Sequence, residues 1–190
     1  MDHRTAHPDP TPAIAQRLRH ERQHRGWSLD ELARRSGVSK AMLSKLERCE
    51  ASPTATLLGR ISGALGMTIS TLLADADTAG ARLVRHADQP TWRDPATGYL
   101  RRQVSPLSDL PLQLVEVELP AGARVGYPAA AFAFIRQAIW VLAGTLEFIE
   151  GDRTHRLQRG DCLELGPAAD CTFANPGRAT CRYLVTVVKR

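Results

Sequence analysis

Ser39, Lys40, Ala41, Ser44 and Lys45 fall in one seven-residue stretch that also holds Met42 and Leu43 and is followed by Leu46 and Arg48. Wound into a helix, the apolar set faces inward and the small polar set faces out. The chemistry this pattern suits is the reading of base edges. A lysine ammonium donates to guanine O6 and N7, a serine hydroxyl reaches several edges, and an alanine methyl touches a thymine methyl. Small side chains count as much as charged ones, because a helix enters a groove only if its outward face carries no bulky apolar group.

Holding that face in place requires further helices, and the punctuation for them is dense. Thr11-Pro12 sets up a cap and a first-turn proline, and Ile14 and Leu18 open an apolar stripe that runs to Gly26. Ser28-Leu-Asp-Glu31 has capping-box spacing and predicts a short second helix with Leu29, Leu32 and Ala33 inward, stopped near Ser36-Gly37. Ser39 caps the third helix. Thr54 caps a fourth with Leu57, Leu58, Ile61 and Leu65 inward, and Thr68 caps a short fifth carrying Ile69, Leu72 and Leu73. Helices two and three with their tight turn follow the helix-turn-helix plan, in which Ala33 permits close packing, Gly37 takes the turn, and Val38 and Leu43 fill the space between them.

Ala33, Gly37, Val38, Ser39, Leu43, Leu46-Glu47 and Pro53 stand where phage-repressor-like (XRE family) helix-turn-helix domains carry such residues, and residues 12–74 resemble that family. The resemblance implies a double-stranded DNA operator as partner, with Ser28, Ser39, Lys40, Ala41, Ser44, Lys45 and Arg48 as the DNA-binding set. Lys40 and Lys45 are candidates for base reading or phosphate contact, and Arg17, Arg19, Arg22, Arg25, Arg34, Arg35 and Arg48 divide between phosphate contacts and solvated charges. Trp27 reads as a core or hinge plug. Cys49 departs from the family pattern, which places glycine at the end of helix three. A left-handed cysteine there costs roughly 1 kcal/mol unless the helix end is rebuilt. One helix-turn-helix unit reads few base pairs, so two copies on half-sites about one DNA turn apart are expected, as a homodimer.

Composition agrees with a polyanionic partner. The 190-residue chain carries a formal charge of +5, and residues 12–50 hold nine Lys/Arg against five Asp/Glu. No apolar run approaches the ~20 residues of a bilayer crossing, and the first residues lack a secretory pattern, so a cytoplasmic protein is expected. The four cysteines form no C-x-x-C pair and are expected as free thiols.

The second half changes character. Runs such as 112–119, 134–142, 145–150, 161–165 and 179–188 alternate or are short and apolar, between Gly and Pro signals, which predicts an antiparallel sandwich or barrel. The expected class is therefore α+β multidomain: a flexible N-terminal tail over 1–11, a five-helix domain over 12–75, a linker with a leading strand over 76–97, and a barrel over 98–190. Residues 139-IWVLAGTLEF-148 and 160-GDCLELGPAADCTFANPG-177 resemble the two motifs of the cupin fold, a jelly-roll-like β-barrel.

Cupins that catalyse hold a divalent metal on two histidines and a glutamate of the first motif and a histidine of the second. Here those positions fall within 130-AAFA-133 and on Gln137 and Cys171, while His155 lies in a hairpin outside both motifs. No metal, no cofactor and no catalysis are expected, because alanine, phenylalanine and amide groups do not replace imidazole and carboxylate ligands. What remains is an effector pocket walled by Ala131, Ala133, Gln137, Ile139, Cys171 and Phe173, apolar with one amide and one thiol. The reading is a DNA-binding transcriptional regulator whose cupin-like domain dimerises and senses a small molecule, coupled through the 75–95 linker. Alternatives are a metal-dependent cupin enzyme with an accessory DNA domain, assembled for instance around His155, Cys171 and Glu164, a thiol-responsive regulator, a helical bundle that serves only as a protein-docking surface, and a filled barrel that serves only to pair two copies.

Overall fold

Side-chain caps start the second to fifth helices, the last through Thr68 Oγ1, which accepts from Thr71 N at 3.0 Å. The computed structural model describes residues 10–73, 82–108 and 110–189; the expected tail through residue 9 and the boundary at 75–76 lie outside them. α1 spans Thr11–His24, α2 Leu29–Ser36, α3 Lys40–Glu47, α4 Ala55–Leu65 and α5 Ile69–Leu73. Ser28 Oγ accepts from Glu31 N at 3.1 Å, Ser39 Oγ from Met42 N at 3.2 Å and Thr54 Oγ1 from Leu57 N at 3.3 Å, as the sequence predicts. Two details differ. Thr11 is the first helical residue rather than the cap, and the Glu31 carboxylate turns away from the expected reciprocal cap bond to Arg34 and Arg35.

Ile14, Leu18, Leu32, Leu43, Leu46, Leu58 and Ile61 form the buried centre of the bundle. Gly37 ends α2 at φ 65°, where a glycine is unstrained. Cys49 takes the same left-handed conformation after α3, at φ 59°, so the helix end is not rebuilt.

Ten strands follow among the described residues: β1 Thr91–Arg93, β2 Leu100–Gln103, β3 Leu112–Leu119, β4 Arg124–Tyr127, β5 Ile135–Ala143, β6 Thr145–Glu150, β7 Arg153–Gln158, β8 Cys162–Glu164, β9 Cys171–Ala174 and β10 Cys181–Lys189. They pair antiparallel into a six-stranded sheet, ordered β1-β2-β3-β10-β5-β8, and a four-stranded sheet, ordered β4-β9-β6-β7. β3 alternates strictly between half-buried and buried positions, which sends Gln113, Val115, Val117 and Leu119 into the space between the sheets. Phe148, Phe173 and Tyr183 fill the middle: the Phe173 and Tyr183 rings stack with centroids 5.9 Å apart, and Phe148 packs on Phe173 at 4.9 Å.

The helices sit directly on this sandwich. α4 is the contact element: a methyl at Gly59 would come within 2.4 Å of the Tyr127 ring, and one at Gly63 within 2.9 Å of the Ala130 backbone. Thr56 Oγ1 donates to Gly126 O at 3.0 Å, Thr68 Oγ1 to Gln113 Oε1 at 2.9 Å, and Arg101 Nη2 to Ser70 Oγ at 2.8 Å. Asp94, buried after β1, accepts from Ala55 N at the start of α4 at 3.3 Å. Side chains therefore join the two parts where the sequence suggested a connection through the linker. Among the described residues no helix is long and apolar enough to cross a membrane.

Candidate functional site

On α3 the inward side is anchored first. Glu47 is buried and takes Arg22 Nε at 2.6 Å and Nη2 at 2.8 Å, with Arg19 Nε at 3.7 Å, which fastens α3 to α1. Hydrogen bonding to Glu47 raises the already high pKa of Arg22. Arg22 is thus a structural residue, and so is Arg25, whose guanidinium reaches Glu21 and the carbonyl of Leu65. Trp27 is half-buried with the Arg35 guanidinium 4.3 Å and that of Arg25 5.8 Å from its ring centroid, a cation–π sandwich that fits the plug reading. Sequence inspection does not pair Arg22 with Glu47, because they lie 25 positions apart and only the fold brings them together.

The outward side carries the proposed contact set. Ser39, Lys40, Ala41, Lys45 and Arg48 are exposed, and Ser44 is half-buried. Lys40 Nζ meets Asp30 at 2.8 Å, which puts the start of α3 beside the first turn of α2, where Ser28 caps. Arg48 pairs with Glu50 at 2.7 Å and also bonds the Ser44 hydroxyl. The guanidinium of Arg48 pulls the Glu50 carboxyl below its ordinary range. Exposed pairs of this kind contribute about 0–1 kcal/mol, so exchanging Asp30 or Glu50 for a phosphate is cheap. The Ser28 and Ser39 hydroxyls accept from backbone N–H groups and keep their own protons for donation.

In the barrel two cavities share Phe132, Ile135 and Gln137 as walls. The outer cleft, about 360 Å³, also has Ala133, Arg136, Glu164 and Pro167 on its walls. The inner chamber, about 40 Å³, is lined by Ala131, Tyr127 and Phe173 and, from the helices, by Ser62, Thr68 and Ile69. Of the expected pocket residues, Ala131, Gln137 and Phe173 line the chamber and Ala133 and Gln137 the cleft. Ile139 and Cys171 line neither; both are buried, Ile139 in the core between the sheets.

The residues of 130–133, Gln137 and Cys171, where the resemblance would place metal ligands, do not fit a divalent ion. Among the described residues no three His, Cys, Asp or Glu side chains are grouped to hold one. His155 lies on β7 and is half-buried. Its ring stacks on Phe148, and its Nε2 is buried without a hydrogen-bond partner. Burial pushes the Cys171 thiol up to about 12, with Glu150 and Asp170 adding to the effect, and burial alone pushes Cys181 up to about 11, so both stay protonated and unreactive at neutral pH.

Residues 18–72 match the HTH_3 helix-turn-helix family. The N-terminal domain is an XRE-type helix-turn-helix. Over this domain the chain is similar to the HTH-type transcriptional regulator SutR of Escherichia coli strain K12, 47% identical over 62 residues, or 33% of this chain and 35% of SutR. It is also similar to SinR of Bacillus licheniformis, 38% identical over 65 residues, or 34% of this chain and 59% of that protein. The matched segment therefore spans between a third and three fifths of these relatives' lengths. A likeness of greater reach is the crystal structure of an HTH_3 family transcriptional regulator from Vibrio cholerae, with TM-score 0.79 and 25% identity, covering 95% of this chain and 97% of the other. That likeness takes in both the helix-turn-helix domain and the two β-sheets behind it.

Proposed function

We propose that the chain is a sequence-specific DNA-binding transcriptional regulator of the cytoplasm, without catalysis, in which residues 12–75 read an operator and the barrel over 98–190 senses a small molecule and pairs two copies. The observation that carries the reading is the outward face of α3. It is small, polar and cationic, and its side chains sit in weak exposed pairs that a phosphate or base edge displaces at little cost. Lys40, Lys45 and Ala41 face the bases, with Ser28, Ser39, Ser44 and Arg48 toward edges and backbone. The similarity to named transcriptional regulators supports the same reading.

Pairing follows from the short reach of one helix-turn-helix. On the outer face of the six-stranded sheet, Trp140 is 48% exposed and Val188 40% exposed, with Leu184 opposite Trp140, an apolar surface suited to a second copy of the same chain. The barrel's role as sensor is supported by the chamber whose wall includes residues of both α4 and α5.

Selection from randomised duplexes tests the reading, followed by titration of the selected site over a range of salt. Affinity is expected to fall by roughly 0.9 log units per released phosphate charge for each log unit of salt. A salt-insensitive interaction, or no selected sequence, rejects it. Lys40→Ala is expected to relax specificity at one base pair; uniform weakening over all sequences assigns Lys40 to a phosphate instead.

A further inference from the structure

Arg101 is out of place for its position. β2 alternates, and its inward positions are Arg101 and Gln103, so a guanidinium points into a barrel whose other inward residues on β3 and β10 are mostly Val, Leu and Tyr. It is 9% exposed, and it lines the inner chamber with Tyr99, Tyr127, Phe132, Phe173, Val185 and others. Arginine stays charged at any working pH, and a buried charge is normally held by a carboxylate. None is within ion-pair distance of Arg101 among the described residues. The buried Asp94 directs its oxygens to Ala55 N, Ala96 N and Thr97 Oγ1 instead. The hydrogen bond that Arg101 does make is to Ser70 Oγ of α5. Its remaining donors are not sealed off by protein, since the fully buried side-chain atoms without a partner are Gln103 Oε1 and His155 Nε2.

We propose that the chamber beneath α5 is a carboxylate-binding site in which the Arg101 guanidinium grips the acid head of a small organic acid while its apolar body passes Phe132 and Ile135 toward the outer cleft. The inference rests on the reading of the barrel as an effector module and names that effector's class. A planar fork of donors matches a carboxylate with two parallel bonds. The chamber is small, about 40 Å³, and its aromatic walls suit a flat head, while the 360 Å³ cleft sharing Phe132, Ile135 and Gln137 has room for a chain. Tyr127, buried and hydrogen-bonded to Tyr99, forms part of the same wall. Because Arg101 also holds Ser70, and Ser62, Thr68 and Ile69 line the same chamber, a bound acid competes for one of the hydrogen bonds that fasten the helices to the sheets.

The test compares hexanoate with hexanamide, which has the same shape without the charge, by calorimetry on the full chain and on Arg101→Met, Arg101→Lys and Ser70→Ala. Native mass spectrometry of the purified protein runs alongside. Hexanoate is expected to bind at least about tenfold more tightly than hexanamide, to lose at least about tenfold in Arg101→Met, to be partly restored in Arg101→Lys, and to bind Ser70→Ala no more weakly than the parent. Should Arg101→Met fail to fold, the acid-to-amide ratio on the unaltered chain and the Ser70→Ala result decide. Equal binding of acid and amide, acid binding that survives Arg101→Met, or a neutral molecule retained in the spectrum overturns the carboxylate site and leaves the effector reading standing. No binding of either compound, together with no retained molecule, overturns both.

Discussion

α3 and α4 belong to one helical bundle and are built to opposite ends. α3 presents cations and hydroxyls to solvent in pairs that exchange easily, and is fixed from behind by the buried Arg22–Glu47 bond. α4 is fixed by what it lacks: two glycines that let Tyr127 and the Ala130 backbone come against the helix. A surface that keeps its groups available can exchange them for a partner's, whereas a seam between two packed layers has to be tightly fitted. Tight packing is felt on both sides when either moves.

The largest expected effect tests the rear anchor of α3. Glu47→Ala leaves Arg22 half-buried with its carboxylate gone and is expected to destabilise the chain by about 3–5 kcal/mol in urea melts. A loss under about 1 kcal/mol would mean that α3 is held by its leucines alone. Gly59→Val and Gly63→Val come next, at about 1–3 kcal/mol each from overpacking. Shrinking the ring with Tyr127→Leu should recover part of the Gly59→Val loss and none of the Gly63→Val loss, since the obstacle at Gly63 is backbone. Equal rescue of both would show that α4 is not seated as described.

Cys49→Gly is expected to stabilise by up to about 1 kcal/mol, by removing a left-handed cysteine from the end of the reading helix without touching the α4 seam. No change in thermal midpoint would place the strain elsewhere. The smallest effect is a pH dependence at α2. Hydrogen bonds from Arg34 and Arg35 hold the Glu31 carboxyl down at about 2 against its ordinary 4.5. Its folded value lies below its unfolded one, so its contribution is fully present above pH 4.5 and drains away as pH falls toward 2. Glu31→Gln should flatten that part of the stability curve slightly, and an unchanged curve would show the pairs to be fully screened.

Much of the fold was legible before any coordinates. Ser28, Ser39, Thr54 and Thr68 announced helix starts because a capping hydroxyl acts within three residues of itself. The run 112–119 announced a strand because alternate side chains face alternate sides. β2, β4 and β9 are absent from the runs read as strands. Each is four residues long, and pairing decides their state more than composition does.

The sequence by itself determined the outward face of α3 and the exceptional cysteine at position 49 from residue types at fixed local spacing, and through its resemblance to cupins the lack of ligand side chains within 130–133 and at Gln137 and Cys171. Only the tertiary structure decided that Glu47 belongs to Arg22, that Gly59 and Gly63 seat the helices on the barrel, and that Arg101 faces a chamber shared with α5. These are meetings of residues far apart in the chain, and their partners are chosen by how helices and sheets pack, which no local pattern records.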